Sequence, residues 1–183
     1  MAGSRRGPRV FIWVEDYYAR DFLLALLGRL NLAGPRPLVK SAKGKGNLIN
    51  RLGRTALDVL VAWGYDKLIA LVDGHGDPEG TAHACMRQVP GHLRSRVHLI
   101  VFTWSIEEWV CVGLCLPLAG QRPLDVLLKH ERKRKGAWVR DRDVKRWLAS
   151  YASRLDLTKL GQNALFKRFL TALEDCPRGA RAS

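Results

Sequence analysis

Apolar and polar positions divide this chain into four short apolar runs separated by amphipathic stretches. The runs are VFIWV at 10–14, a brief piece at 38–40, KLIALV at 67–72 and VHLIVF at 97–102. Short runs rich in β-branched and aromatic residues, bounded by turn residues, fit strands buried on both faces. Between them the period changes. Residues 20–30 place Phe22, Leu23, Leu26, Leu27 and Leu30 on one helical stripe, with Asp21 near the start where negative charge suits the dipole. Asn47 is the expected N-cap of a helix from Leu48 to about Trp63. Residues 79–90 predict a third helix, weakened by Gly80 and ended near Pro90. A fourth spans WSIEEWVCVGLCL at 104–116, with Ser105 as N-cap and Glu108 completing a capping box. This alternation predicts an α/β fold: a parallel sheet of about four strands flanked by helices. Beyond a turn at 117–123 the pattern is helical and basic. It ends in a core-spaced helix at 162–173 and a frayed tail at 177–183. The length of 183 residues suits one domain, 1–183, with an α/β core at 10–116 and a helical C-terminal extension at 117–183.

Charge narrows the partners. The chain carries 31 Lys+Arg against 17 Asp+Glu, a net charge of +14. Such a field favours polyanions, with DNA or RNA first. An anionic membrane surface would serve the same charge, but no apolar run reaches the ~18 residues of a membrane span. The basic start, MAGSRRGPR, lacks the apolar core of a signal peptide, so the expectation is a soluble, cytoplasmic protein. A homodimer and a partner protein are both left open. The four cysteines (Cys85, Cys111, Cys115 and Cys176) form no CxxC pair and read as thiols rather than a zinc site. Cys111 and Cys115, four apart, are expected on one helix face. Lys129, Arg132, Lys133, Arg134 and Lys135 form a dense run, joined by Arg140, Arg142, Lys145 and Arg146, with Trp138 and Trp147 interleaved. The run reads either as a solvated face or as a phosphate-binding one.

The candidate chemistry sits where apolar runs stop. The third run ends in Asp73, followed by Gly74, His75, Gly76 and Asp77. Ligands of open α/β sheets bind just beyond the carboxyl ends of such strands. Two carboxylates and an imidazole in five positions suit a hard cation, although Asp73 could equally cap the next turn. Lys40, Lys43 and Lys45, with Gly44 and Gly46, precede a helix start and form either a phosphate site or a solvated loop. Glu15 follows the first run and Glu107 the fourth, so three acids stand at three predicted strand ends.

That pattern resembles the Toprim fold, in which a glutamate follows the first strand, a DxD-type motif follows the third, and together they hold Mg²⁺. More closely, the chain looks like the small stand-alone Toprim-like proteins of the DUF4276 group, related to the OLD-family nuclease domains. The matching pieces are VFIWVED with DFLLALL, GKGNLINRL, LIALVDGHGD, SIEEWV and FKRFLTAL, in the expected order. Two positions depart from the family: Asp16 replaces the usual Gly after the glutamate, and His75 replaces the second carboxylate of DxD, with Asp77 two positions on. The resemblance implies phosphodiester hydrolysis dependent on Mg²⁺ or Mn²⁺. On that reading Glu15, Asp73 and Asp77 hold metal, and Glu107 holds a second ion or orients water. His75 is a ligand or general acid/base. Lys40, Lys43 and Lys45, with Arg132, Lys133, Arg134 and Lys135, contact phosphate. A non-catalytic nucleic-acid-binding module, a basic subunit of a defence or repair assembly, and a nucleotide hydrolase are the competing classes.

Overall fold

A computed structural model describes residues 7–32 and 34–174; the expected tail and Cys176 lie outside the described residues. Strands β1 (Val10–Val14), β2 (Leu38–Ser41), β3 (Lys67–Asp73) and β4 (Val97–Phe102) alternate with helices α1 (Tyr17–Leu27), α2 (Lys45–Leu57) and α3 (Pro78–Gln88). Five further helices follow: α4 (Glu107–Gly113), α5 (Pro123–Lys135), α6 (Asp141–Tyr151), α7 (Leu157–Gln162) and α8 (Ala164–Glu174). The sheet is wholly parallel, in the order β2-β1-β3-β4, so the expected α/β architecture is borne out.

The order has a consequence. The chain leaves β1 in one direction to reach β2 and returns past it to β3. Crossovers of a single hand then put α1 on one face and α2 and α3 on the other. Side chains alternate to match. Val10, Ile12, Val14, Ile69, Leu71 and Phe102 share a core with α1 and the C-terminal helices. Phe11, Trp13, Leu68, Ala70 and Val72 pack with α2 and α3 on the opposite face. Burial of each Val, Leu, Ile or Phe among these contributes about 1.5–3 kcal/mol. The helices after residue 117 therefore close one face of the sheet. Trp109 of α4 meets Phe166 and Phe169 of α8 at ring-centroid distances of 5.0 and 5.2 Å, so the aromatics of the last helix are packing groups, as expected.

Several element ends differ from the sequence pattern, each for a local reason. α1 starts at Tyr17 because Asp16 caps it, its Oδ1 accepting the Ala19 N–H at 2.8 Å. α2 starts at Lys45, not Leu48. Gly44 donates its N–H to the Glu15 carbonyl at 2.7 Å, and Asn47 donates its side-chain amide to the Lys43 carbonyl instead of capping. After Leu57 the helix widens into a π-helical turn, Asp58–Ala62. α4 begins at Glu107; Ser105 accepts the Glu108 N–H with its carbonyl, and Glu108 accepts the Trp104 N–H with its carboxylate. α4 ends at Gly113, and Cys115 has a φ of +57°, so Cys111 and Cys115 do not share a helix face. The last predicted helix is α8, which starts two residues late because Asn163 separates it from α7; the Asn163 Oδ1 accepts the Phe166 N–H at 2.9 Å. Cys85 and Cys111 are buried, which pushes their thiols up to about 11 and about 12, out of the reactive range. Among the described residues no helix is long and apolar enough to cross a membrane.

Candidate metal centre

β1 and β3 are direct neighbours, with Val14 paired to Leu71. Their carboxyl ends lie at the point where the chain's direction across the sheet reverses, the position where open α/β sheets bind ligands. Glu15 is one residue past β1 and Asp73 is the last residue of β3. The loop after Asp73 then folds back on the end of β4. Gly74 donates its N–H to the Phe102 carbonyl at 3.1 Å, His75 to that of Trp104 at 3.0 Å, and Gly76 to that of Thr103 at 2.8 Å. A Cβ on residue 74 would stand 2.2 Å from the Phe102 oxygen, so only glycine permits this approach. His75 takes a left-handed φ of +52°, and Gly76 follows at +91°. One ligand atom each from Glu15, Asp73 and His75 lies within 4.8 Å of the others.

The electrostatics of this group suit a cation. Burial, with the neighbouring charges of Glu107 and Glu15, pushes the Asp73 carboxyl well above the usual carboxylate range, against a hydrogen bond from the Ile106 N–H at 3.1 Å. Burial also raises Glu15, and its Oε2 is buried without a hydrogen-bond partner. Two crowded carboxylates with an orphaned oxygen have a deficit that a divalent ion would fill. His75 is pushed below the ordinary imidazole value by burial and by Lys45 and Lys145. A neutral imidazole is the form that ligates metal. The donor set of two carboxylates and an imidazole therefore fits a divalent cation.

The other predicted site residues divide. Glu107 is buried at the start of α4 and lines the same cavity, of about 380 Å³, as Asp73 and His75, but it is not in the close group. Asp77 is not in that group either. Its Oδ1 accepts the Gly80 N–H at 2.9 Å, so Asp77, rather than Asp73, caps the next helix. Lys45 stands at the first position of α2, donates to the Thr81 hydroxyl at 3.2 Å and acts on both Glu15 and His75. Lys40 and Lys43 are exposed nearby in sequence, on β2 and in the loop after it. In the basic run Lys133, Arg134 and Lys135 are all exposed, but Arg132, Arg134 and Lys135 also make contacts within the fold. Arg134 is paired with the buried Glu131 at 2.6 Å, Arg132 donates to the Val139 carbonyl, and Lys135 sits 3.3 Å over the Trp147 ring.

Two cavity residues were not legible as site residues. Arg122 and Lys145 line the cavity with Asp73, His75 and Glu107. They come from the start of α5 and the middle of α6, so only the tertiary fold brings them to the strand ends. Lys145 had one sequence signal, its place in the basic run, which does not distinguish it from solvated neighbours; Arg122, in the expected turn at 117–123, had none. In comparisons with protein-family models, curated proteins and solved structures, nothing matches this chain.

Proposed function

We propose that this protein binds a divalent cation, Mg²⁺ or Mn²⁺, and hydrolyses phosphodiester bonds of DNA or RNA, as its Toprim resemblance implies. The observation that carries the reading is the close approach of Glu15, Asp73 and His75 at the carboxyl ends of β1 and β3. Around that acidic group stand Lys45, Arg122 and Lys145. Anionic ligands for a metal surrounded by cations for a phosphate form the pairing that phosphoryl chemistry needs. When bound, the ion would neutralise charge on the scissile phosphate and lower the pKa of a bound water. Glu15 and Asp73 supply charged oxygens, and His75 supplies a neutral nitrogen. Arg122 and Lys145 hold phosphate oxygens, and Glu107 orients the attacking water. The imidazole tilts the site toward Mn²⁺, since Mg²⁺ favours all-oxygen ligation.

One observation supports a second reading. His75 stands where the Toprim pattern has a carboxylate, which fits a nucleic-acid-binding module that no longer turns over. The deciding assay offers single- and double-stranded DNA and RNA with Mg²⁺, Mn²⁺ or EDTA to wild type and Asp73→Asn. Nuclease action predicts cleavage that needs metal and falls at least about 100-fold in the variant, as loss of a ligand should exceed the 10–100-fold typical of its supporting partners. Metal-bound protein that cuts nothing would favour the binding module.

A further inference from the structure

Trp138 is 77% exposed, more than any other large hydrophobic side chain among the described residues. It is nevertheless held in place. The loop between α5 and α6 is anchored by the buried Val139, whose carbonyl accepts two hydrogen bonds from Arg132, at 3.1 and 3.0 Å. The same guanidinium lies over the Trp138 ring, 3.9 Å from its centroid. Arg132 thus orients one indole face while most of the ring stays in water. Trp147 makes the contrast. It too carries a cation, Lys135, but is half-buried and packs on the core. Trp138 contributes almost nothing to the core, and an exposed, pre-oriented ring backed by a cation is what stacks on a planar base.

We infer that Trp138, backed by Arg132, is a stacking platform for an unpaired base, and that the polynucleotide this protein recognises is single-stranded. The inference rests on the polynucleotide reading above and specifies its substrate. Duplex bases are stacked inside the helix and offer no free face to an indole, whereas a single strand can splay one out. Lys133 flanks the loop as an exposed cation for the adjoining phosphates, and Arg140, exposed on the other side, is paired with Asp143 at 3.5 Å. The platform is also close to the acidic site. Trp138 and the cavity residue Lys145 are joined by a short segment and one turn of α6, so their Cα atoms are at most about 17 Å apart. A few nucleotides of single strand cover that span.

The test is equilibrium binding in EDTA, where no metal-dependent step intervenes. The full chain is titrated against a fluorescent single-stranded oligonucleotide, its duplex, and an abasic strand of equal length. The wild type should bind the single strand more tightly than the abasic strand. Trp138→Ala should weaken single-strand binding about 5- to 150-fold, the range of one base–aromatic stack, and leave abasic and duplex binding unchanged. Trp138→Phe should restore most of the loss. Circular dichroism of Trp138→Ala should match wild type, because the ring is mostly in solvent. Equal losses on all three ligands, or no loss on the single strand, would overturn the platform even if metal-dependent cleavage persisted. Trp138-dependent binding in a protein that cuts nothing would uphold the platform and sink only the nuclease reading.

Discussion

Asp73 carries an electrostatic cost in the fold. Its folded pKa, like that of Glu15, is raised by burial and by like charge. For a carboxyl raised on folding, the stability contribution is fully present below its unfolded pKa near about 4 and is lost as pH rises through the folded value. Metal-free protein should therefore lose stability as pH rises above about 4, and Asp73→Asn should flatten that slope. The amide oxygen can still accept from Ile106, so the variant should melt a few degrees higher at pH 7 without metal, about 2–4 °C for each kcal/mol regained. A thermal-shift series against pH checks the sign; a variant that melts lower would show that the charged carboxylate is structural. His75→Ala should lower Mn²⁺ affinity at least about tenfold by calorimetry and Mg²⁺ affinity less, since imidazole is the softer donor. Asp77→Ala should cost about 0.5–2 kcal/mol in stability through loss of the α3 cap, with metal affinity unchanged. At this scale the sequence was partly readable. Glu15 and Asp73 were conspicuous because charge follows an apolar run. The division of labour between His75 and Asp77 was not, because it depends on how the loop folds back onto β4.

That loop is the element on which the site depends. Three successive N–H groups, from residues 74 to 76, reach carbonyls at residues 102 to 104, so the end of β4 sets the position of His75. Gly74→Ala forces a Cβ onto a backbone oxygen. The loop must shift, and the expected result is lower stability by about 1–3 kcal/mol together with weaker metal binding. Gly91→Ala is the control, because a Cβ there meets nothing. Loss of metal binding in both, or in neither, would contradict the assigned role of the loop. The strands themselves were legible from their apolar runs. The start of α2 was not, because a tertiary contact sets it: Gly44 begins α2 through a bond to the carbonyl of Glu15, across from β1. Asn47 looked like a cap by residue type and lost to that bond.

At the scale of the whole molecule, the basic C-terminal helices wall the acidic cavity, through Arg122 and Lys145, and share a core with one face of the sheet. Composition and periodicity announced helices and charge there but could not show which cations turn inward. Nor could they show that Glu131 takes Arg134 out of the free charge. If the field of +14 serves a polyanion, affinity should fall steeply with salt, and Lys133→Ala should lower the slope by about one unit for a lost phosphate contact. Arg134→Ala should alter the slope less and stability more, since it leaves the buried Glu131 with only the more distant Arg154, at 3.9 Å, as an ion-pair partner. The chemistry proposed for this molecule requires a metal held at the strand ends. The most direct test is a crystal soaked in Mn²⁺ and measured for anomalous scattering. The account predicts one strong peak in contact with Glu15, Asp73 and His75, absent in Asp73→Asn. A map with no peak there, or with the ion bound at Asp77 instead, would contradict it.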